Sequence, residues 1–427
     1  MNHIQDLCTF LDSSPVNFWA VETVRRRLET EGFRALDMRE EWKLAPGDKR
    51  YVVQNGSAIF AFVVGDGPAN EGFDIIAAHS DSPGFRIKPR CEIACEGIVK
   101  LNTEVYGGPI LYTWFDRPLS LAGRVALKSD NPLRPEMKLV CFDRPLLVIP
   151  HLAIHFNRQV NEGNPLSKQR DMLPVIALEC TEATGMMRTL VAGKLDVDPD
   201  RILDYDLSLY ITDKATLTGL EEEMICSGRI DDLSMVHAGL TALLDTCGQT
   251  SRHTRVLAIF DNEETGSGTK QGAASPILEY ILRRIVLCLN GSESDFMRAV
   301  AASFMVSADN AHGFHPNYAD KYDPTNHPKL GKGSCIKVNA NCKYMTDADS
   351  SAVFMDICNR AGVPFQTFVN HSDIAGGSTL GNILTTQLPL RGVDMGAPVW
   401  AMHSACETAS TADHIATIKA FTEFFSL

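Results

Sequence analysis

Two adjacent carboxylates, Glu263 and Glu264, follow an apolar segment at residues 255–260. A short apolar run of this kind predicts a buried strand that ends in a loop. Because successive side chains of an extended chain point in opposite directions, we expect the two carboxylates to have different roles. One can bind a metal ion while the other accepts a proton. Considered alone, the pair is also typical of a solvated acidic turn, since glutamate is mostly exposed.

Further polar residues lie at the ends of other predicted strands and helices. Apolar runs at residues 73–78 and 304–308 predict two more buried strands, and the segment after Asp231 has the periodicity of a helix. In open α/β sheets, ligands bind beside the carboxyl ends of the strands, so we expect these polar side chains to share one site. They are His79, Asp81, Asp231, Glu263, Glu264, Asp309 and His403.

The chemistry of this set indicates a metal site. So much negative charge in one cleft is costly unless cations lie among the carboxylates. Mixed histidine and carboxylate ligation favours zinc, manganese or cobalt over calcium or magnesium. Two ions about 3.5–4 Å apart could share one carboxylate and activate a water for hydrolysis. The alternative to metal binding for Asp231 and its neighbour Asp232 is capping of the helix that follows. A helix cap requires only one of the two aspartates.

The elements that must position these residues form an α/β fold. Alternating strand and helix patterns before residue 90 and after residue 230 predict a mixed, largely parallel sheet flanked by helices. Between them, the chain has short strand-like pieces and turns typical of an inserted β-rich domain. We therefore predict a catalytic domain formed by residues 1–90 and 229–427, with a second domain at residues 91–228.

Composition narrows the class of protein. The net charge is −13 and the basic residues form no long cluster, which argues against nucleic-acid binding. No apolar run approaches the ~18 residues that span a bilayer, and the N-terminus lacks the pattern of a signal peptide. We expect a cytoplasmic protein without membrane partners, in which the 12 cysteines are reduced core thiols.

Two other segments have open interpretations. His151 and His155 are four residues apart, but without an intervening glutamate on a helix this spacing favours structural histidines over zinc ligands. The glycine-rich segment at residues 376–381 lacks the lysine of a phosphate-binding loop. It predicts close backbone packing near a pocket.

Eight segments, taken together, resemble the aspartyl aminopeptidase and aminopeptidase I family of co-catalytic zinc metallo-aminopeptidases. The resemblance extends over nearly the whole chain. The segments are residues 78–83, 106–108, 114–117, 149–155, 261–267, 307–312, 315–318 and 401–404.

The resemblance implies a role for each residue of the set. It implies two zinc ions per subunit, with manganese or cobalt as alternatives, and Asp231 as the bridging ligand. Glu264 and His403 would complete one metal site, and His79 and Asp309 the other. Glu263 would be the general base that takes a proton from the bridging water and returns it to the leaving amine.

The resemblance also assigns residues around the metal ligands. Asp81 would fix the tautomer of the His79 imidazole. His155 would reach the scissile carbonyl across a subunit boundary, so we favour catalytic support for His155 and a structural role for His151. His315 and Lys337 match substrate-contacting positions of acid-preferring members; Lys337 could pair with an acidic first residue, or be a solvated strand residue.

The implied function is removal of single N-terminal residues from peptides with a free N-terminus, with an acidic first residue possible. The alternatives are a two-metal carboxypeptidase or deacylase, and a catalytically inert metal-binding assembly protein. The resemblance also implies a homo-oligomer, a tetrahedral dodecamer in which inserted domains pair the subunits. The chain departs from its relatives at Asp232, where they often have Asn, and at residues 372–378.

Overall fold

The computed structural model describes residues 2–178 and 183–427, which divide into two compact units. The first unit contains the chain up to Asp81 together with Ala215–Met402 and Glu407–Leu427. The second contains Ser82–Lys214 and His403–Cys406. The helices are α1 His3–Ser13, α2 Asn17–Thr30, α3 Lys168–Asp171, α4 Met186–Leu195, α5 Ile230–Thr246, α6 Ile277–Cys288, α7 Glu293–Ala302, α8 Ala348–Ala361, α9 Leu380–Leu384 and α10 Thr411–Phe424.

The strands form three sheets, one of nine strands and one of five in the first unit, and one of six in the second. They are β1 Arg34–Ala35, β2 Lys49–Gln54, β3 Ala58–Val63, β4 Phe73–His79, β5 Gly84–Cys95, β6 Ile98–Tyr106, β7 Leu119–Leu127, β8 Glu136–Cys141, β9 Val175–Ala177, β10 Ile202–Ile211, β11 Thr216–Thr218, β12 Met224–Ser227, β13 Thr254–Phe260, β14 Phe304–Ala308, β15 Ala311–His312, β16 Ser334–Lys337, β17 Phe365–Phe368, β18 Arg391–Gly396, β19 Pro398–Trp400 and β20 Glu407–Ser410.

The large sheet of the first unit has the order β1-β2-β3-β13-β4-β14-β18-β16-β17. Its centre is parallel, because β13, β4, β14 and β18 all run in one direction, while β3 and β16 are antiparallel to their central neighbours. The predicted strands at residues 73–78, 255–260 and 304–308 are present as β4, β13 and β14. The predicted mixed, largely parallel sheet is therefore confirmed.

Both faces of this sheet are covered, which explains the continuous apolar runs of its central strands. In β3, Ile59 and Ala61 pack into the hydrophobic cluster that contains α1, α2, α5, α8 and α10. The alternate residues Phe60 and Phe62 pack into a second cluster with α6, α7 and α9. Since successive side chains of a strand point to opposite faces, one buried strand supplies both cores.

The smaller sheet of the first unit has the order β11-β12-β20-β19-β15. The second unit contains the antiparallel sheet β8-β7-β10-β5-β6-β9, with α4 packed on its own hydrophobic cluster. Among the described cysteines, all are free, most are at least partly buried, and Cys95 and Cys342 are exposed; Cys180 lies outside the described residues. Within the same residue ranges, each helix is too short or too polar to cross a membrane.

A pair of buried histidines connects three helices of the first unit. The Nδ1 atom of His237 in α5 lies 2.9 Å from Nε2 of His414 in α10. Its Nε2 atom lies 2.9 Å from a carboxylate oxygen of Asp6 in α1, which also pairs with Arg27. Burial lowers the pKa of His237, and burial together with the neighbouring His237 lowers the pKa of His414 well below its usual value.

We expect this histidine pair to make the fold sensitive to acid. A histidine with a lowered pKa stays neutral in the folded state while the unfolded chain binds a proton below about pH 6.5. Folding stability should therefore fall as the pH decreases from about 6.5, by about 1.4 kcal/mol per pH unit for each such proton. Urea unfolding midpoints of the wild type and His414→Gln between pH 5 and 7.5 test this, and the variant should show the shallower decrease.

The exposed His312 supplies the matched control, because His312→Gln removes a histidine without changing a buried site. This control should keep the pH dependence of the wild type. An identical slope for His414→Gln and the wild type would contradict the role of the buried pair.

Candidate metal centre

The candidate metal centre of the first unit lies where the parallel central strands end. His79 is the last residue of β4, and it is paired in register with Phe260 at the end of β13. Asp309 directly follows β14, the other neighbour of β4. The strand register therefore brings together side chains that are distant in sequence.

Four side chains of this unit form the first possible ligand group. His79, Asp231, Asp232 and Asp309 are all buried, and each offers one ligand atom within 4.8 Å of the others. The Nε2 atom of His79 lies 3.8 Å from Asp231 and 4.0 Å from Asp232. Burial alone would lower the pKa of His79, but the carboxylates around it, Asp232 first among them, raise it well above its usual value.

Asp81 connects the histidine to the two glutamates. The Nδ1 atom of His79 lies 3.1 Å from the Asp81 carbonyl oxygen and 3.3 Å from its carboxylate. The two carboxylate oxygens of Asp81 also accept hydrogen bonds from the backbone N–H groups of Glu263 (3.1 Å) and Glu264 (3.2 Å). Asp81 thus orients an imidazole, so that its Nε2 faces the carboxylates, and holds the backbone of both glutamates.

Glu263 and Glu264 lie in a 3₁₀ turn, Glu263–Thr265, and not on an extended chain. The expectation that they point to opposite sides of a strand is therefore wrong; neighbouring residues of a 3₁₀ turn diverge by about a third of a turn. Both glutamates still belong to a possible ligand group with His79. Burial raises the pKa of Glu263 to about 8, and the negative charges of Asp309 and Glu264 act in the same direction.

Asp231 and Asp232 begin α5, but both have backbone angles outside the helical range. The N–H group of Asp231 donates to the Glu407 carboxylate at 3.0 Å, and the Asp232 carboxylate accepts from the N–H group of His79 at 3.0 Å. The pattern of an ordinary helix cap does not account for this geometry. Both aspartates belong to the buried group, whereas the sequence analysis selected only Asp231 as a ligand.

Lys337 occupies a position that its residue type does not suggest. It ends β16, is 3% exposed, and its Nζ atom lies 3.4 Å from the carboxylate of Asp309. Burial alone would lower the pKa of Lys337, but the negative charge of Asp309, together with those of Tyr344, Asp394 and Asp231, raises it. The interpretation of Lys337 as a solvated strand residue is therefore wrong.

The residues present fit a zinc ion on two observations. The group offers an imidazole nitrogen and carboxylate oxygens, the donors that zinc binds in hydrolytic enzymes. The Oδ1 atom of Asp232 is buried and accepts no hydrogen bond from the described protein atoms. A buried carboxylate oxygen is costly unless a hydrogen-bond donor or a cation satisfies it, so the group is suited to a cation.

A cavity of about 230 Å³ lies within the same unit. His315 lines it, as do His312, His371 and Trp400, together with the backbone of Gly376 and Gly377. The predicted position of the glycine-rich segment near a pocket is confirmed. Sequence reasoning missed His371 and Trp400, because a loop residue and the last residue of the three-residue strand β19 have no periodic pattern that reveals the surface they share.

Two predicted site residues lie in the second unit. His155 is exposed, whereas His151 is half-buried, with its ring centroid 4.5 Å from that of Phe115. The Nδ1 atom of His403 donates to the carbonyl oxygen of Gly108 at 3.2 Å. This hydrogen bond selects the tautomer in which Nε2 carries no proton, as a metal-binding histidine requires.

A mixed sheet with an imidazole and several carboxylates at the ends of its central strands defines the class of metal-dependent hydrolases. A family model for aminopeptidase I zinc metalloproteases (M18) matches residues 10–425. A probable M18 family aminopeptidase 2 from Clostridium novyi (strain NT) is 50% identical, over 99% of this chain and 98% of the relative.

Solved structures agree with this classification. The structure described as the Ape4 and Nbr1 complex is 35% identical with a TM-score of 0.95, covering 99% of this chain and 85% of that one. Chaetomium thermophilum mApe1 is 30% identical with a TM-score of 0.87, and the match covers 99% of this chain and 96% of that one. The chain belongs to the M18 family of aminopeptidase I zinc metalloproteases. Its activity is that of an aminopeptidase, and the resemblance found in the sequence is confirmed.

Proposed function

We propose that the chain removes single N-terminal residues from peptides with two zinc ions, for which manganese or cobalt can substitute, and that it prefers an acidic first residue. The observation that carries this proposal is the buried group of His79, Asp231, Asp232 and Asp309 beside the two glutamates. Bound there, the metal ions would lower the pKa of a water and polarise the scissile carbonyl.

The proposed ligands come from separate parts of the chain. Asp231 would bridge the two ions, the role that the family resemblance gives it, while one oxygen of the Asp232 carboxylate accepts the N–H group of His79. His79 and Asp309 would complete one site. Glu264 and His403 would complete the other, and the tautomer of His403 supports its assignment.

Glu263 is the proposed proton carrier. Its carboxylate takes a proton from the attacking water and returns it to the nitrogen of the leaving amine. Burial raises the pKa of Glu263 above that of an exposed glutamate, whereas bound cations would favour the ionised carboxylate that can accept the proton. Asp81 supports the transfer by fixing the backbone from which the Glu263 side chain extends.

The preference for an acidic first residue rests on His315 and Lys337. His315 lines the cavity in the first unit, together with two further histidines, His312 and His371. Lys337 supplies a buried positive charge next to Asp309. A buried lysine favours a carboxylate over a neutral side chain of the substrate, and an imidazole can donate a hydrogen bond to that carboxylate.

Residues 91–228, most of which belong to the second unit, are proposed to join subunits. We propose that residues 91–228 form a dimerisation and substrate-gating domain, and that the enzyme is a homo-oligomer, a tetrahedral dodecamer, in which His155 reaches the scissile carbonyl of a neighbouring subunit. Leu152, Ile154 and Phe156, which flank His155, are 57%, 52% and 81% exposed. Apolar exposure of this kind is typical of an interface. A solution mass near that of one 46.9 kDa chain would contradict the assembly.

A panel of short peptides and amino-acid anilides tests the function. We expect hydrolysis of substrates with a free N-terminus, loss of hydrolysis when the same N-terminus is acetylated, and a higher kcat/KM for Asp or Glu than for Leu as the first residue. Cleavage of acetylated substrates would identify a carboxypeptidase or deacylase instead. Equal kcat/KM values for all first residues would contradict the acidic preference but not the aminopeptidase activity.

A further inference from the structure

A completely buried carboxylate, that of Asp394 in β18, joins two loops of the first unit. Its Oδ1 atom accepts a hydrogen bond from the Thr379 hydroxyl at 2.7 Å. Its Oδ2 atom accepts one from the backbone N–H of Met345 at 2.6 Å. The backbone N–H of Asp394 donates to the hydroxyl of Thr346 at 2.9 Å. A buried carboxylate is costly without such donors, so each donor is held in a defined position.

The backbone near this carboxylate is packed as closely as glycine permits. A Cβ atom added at Gly381 would lie 2.6 Å from both carboxylate oxygens of Asp394. Thr379 precedes α9 in the position of a helix cap, yet its side chain makes no capping hydrogen bond and bonds Asp394 instead. Both features indicate that contacts with Asp394, and not only the hydrogen bonds of α9, hold the end of the glycine-rich segment in place.

The loop before Thr379 borders the cavity, and the segment that contains Tyr344 borders the buried Lys337. Residues 374–377, which line the cavity, lie directly before Ser378 and Thr379. Tyr344, directly before Met345, is 6% exposed, and its ring centroid lies 5.7 Å from the Nζ atom of Lys337. Tyr344 also packs in one hydrophobic cluster with Phe368, which lines the cavity.

We infer that Asp394 is a positioning residue for substrate binding: it fixes the glycine-rich wall of the cavity through Thr379 and the Tyr344 segment through Met345. The inference rests on the proposed function, in which this cavity receives part of the substrate. The carboxylate of Asp394 accepts hydrogen bonds from Thr379 and Met345, neither of which is a proposed metal ligand. Its loss should therefore weaken substrate binding more than the chemical step.

Thr379 offers the sharpest test, because Thr379→Val removes the hydroxyl at nearly constant volume and Thr379→Ser retains it. We expect Thr379→Val to raise KM about tenfold, the effect of one lost hydrogen bond to a buried charge, with kcat within about twofold of the wild type. Thr379→Ser should restore the wild-type KM. The substrates are the glutamyl and leucyl anilides, and zinc content and thermal midpoint are measured on the same samples.

Three results would overturn the inference: an unchanged KM in Thr379→Val, a fall in kcat at constant KM, or equal impairment of Thr379→Ser and Thr379→Val. Gly381→Ala provides a second route if Thr379→Val does not fold, because its added methyl group presses on Asp394 from the other side. It should raise KM in the same way, and an unchanged KM would count against the inference. An active wild type with an unaffected variant refutes only this inference, whereas an inactive wild type refutes the proposed function.

Discussion

Replacing Glu263 with Gln is expected to reduce kcat by about 10³-fold, since general acid-base catalysis contributes about 10²–10⁴-fold. The amide keeps the size and hydrogen-bonding shape of the carboxylate but cannot accept a proton. The backbone N–H of residue 263 still donates to Asp81 in the variant, so the turn should remain in place. The measurement is kcat on the leucyl and glutamyl anilides, with metal content determined on the same preparation.

Two comparisons make this result specific. Glu293→Gln, at an exposed glutamate of α7, should retain the wild-type kcat because it removes a carboxylate remote from the centre. Glu263→Gln should also retain the wild-type metal content, because the ligands proposed above remain. Near wild-type hydrolysis by Glu263→Gln would refute the assignment of Glu263 as the base.

Removal of the metal ions is expected to abolish hydrolysis and to destabilise the first unit. Asp231, Asp232 and Asp309 are buried within one ligand group, and without a cation their charges repel one another. A ligand present at about 1,000 times its Kd stabilises a folded protein by about 4 kcal/mol. Dialysis against a chelator should therefore lower the thermal midpoint by about 5 °C and reduce activity below about 0.1%.

Readdition of zinc after dialysis should restore both quantities. Asp231→Asn provides the matched variant, because the neutral amide is a poor ligand: it should have low activity, and its thermal midpoint should respond less to the chelator than that of the wild type. Full activity after chelation, with metal content confirmed as negligible, would contradict a metal-dependent mechanism.

The centre of the fold was predictable because its strands are continuous apolar runs. In β13, every residue from Thr254 to Phe260 is buried, and a run of that kind is visible without any knowledge of its neighbours. The candidate ligands His79 and Asp309 were predictable for a related reason, since each follows such a run. The geometry of a parallel sheet then places them at one edge.

Features that depend on long-range contacts were not predictable. A three-residue turn such as Glu263–Thr265 is too short to show a period, so the sequence predicts an extended backbone there instead. A lysine in a strand is ordinarily solvated, and the burial of Lys337 follows only from its distant partner Asp309. The hydrogen bonds of Asp394 likewise join segments that no local pattern relates.

The position of β4 has a consequence for the order of events during synthesis. Both of its partners, β13 and β14, are translated after Ser82–Lys214, the range that contains the whole sheet of the second unit. At about 5–20 residues per second, the fully buried strand β4 is made roughly 10–50 s before both of its neighbours are available. The nascent chain therefore carries an unpaired aggregation-prone strand while the sheet of the second unit can already form, and chaperone protection of this early segment is most needed during that interval.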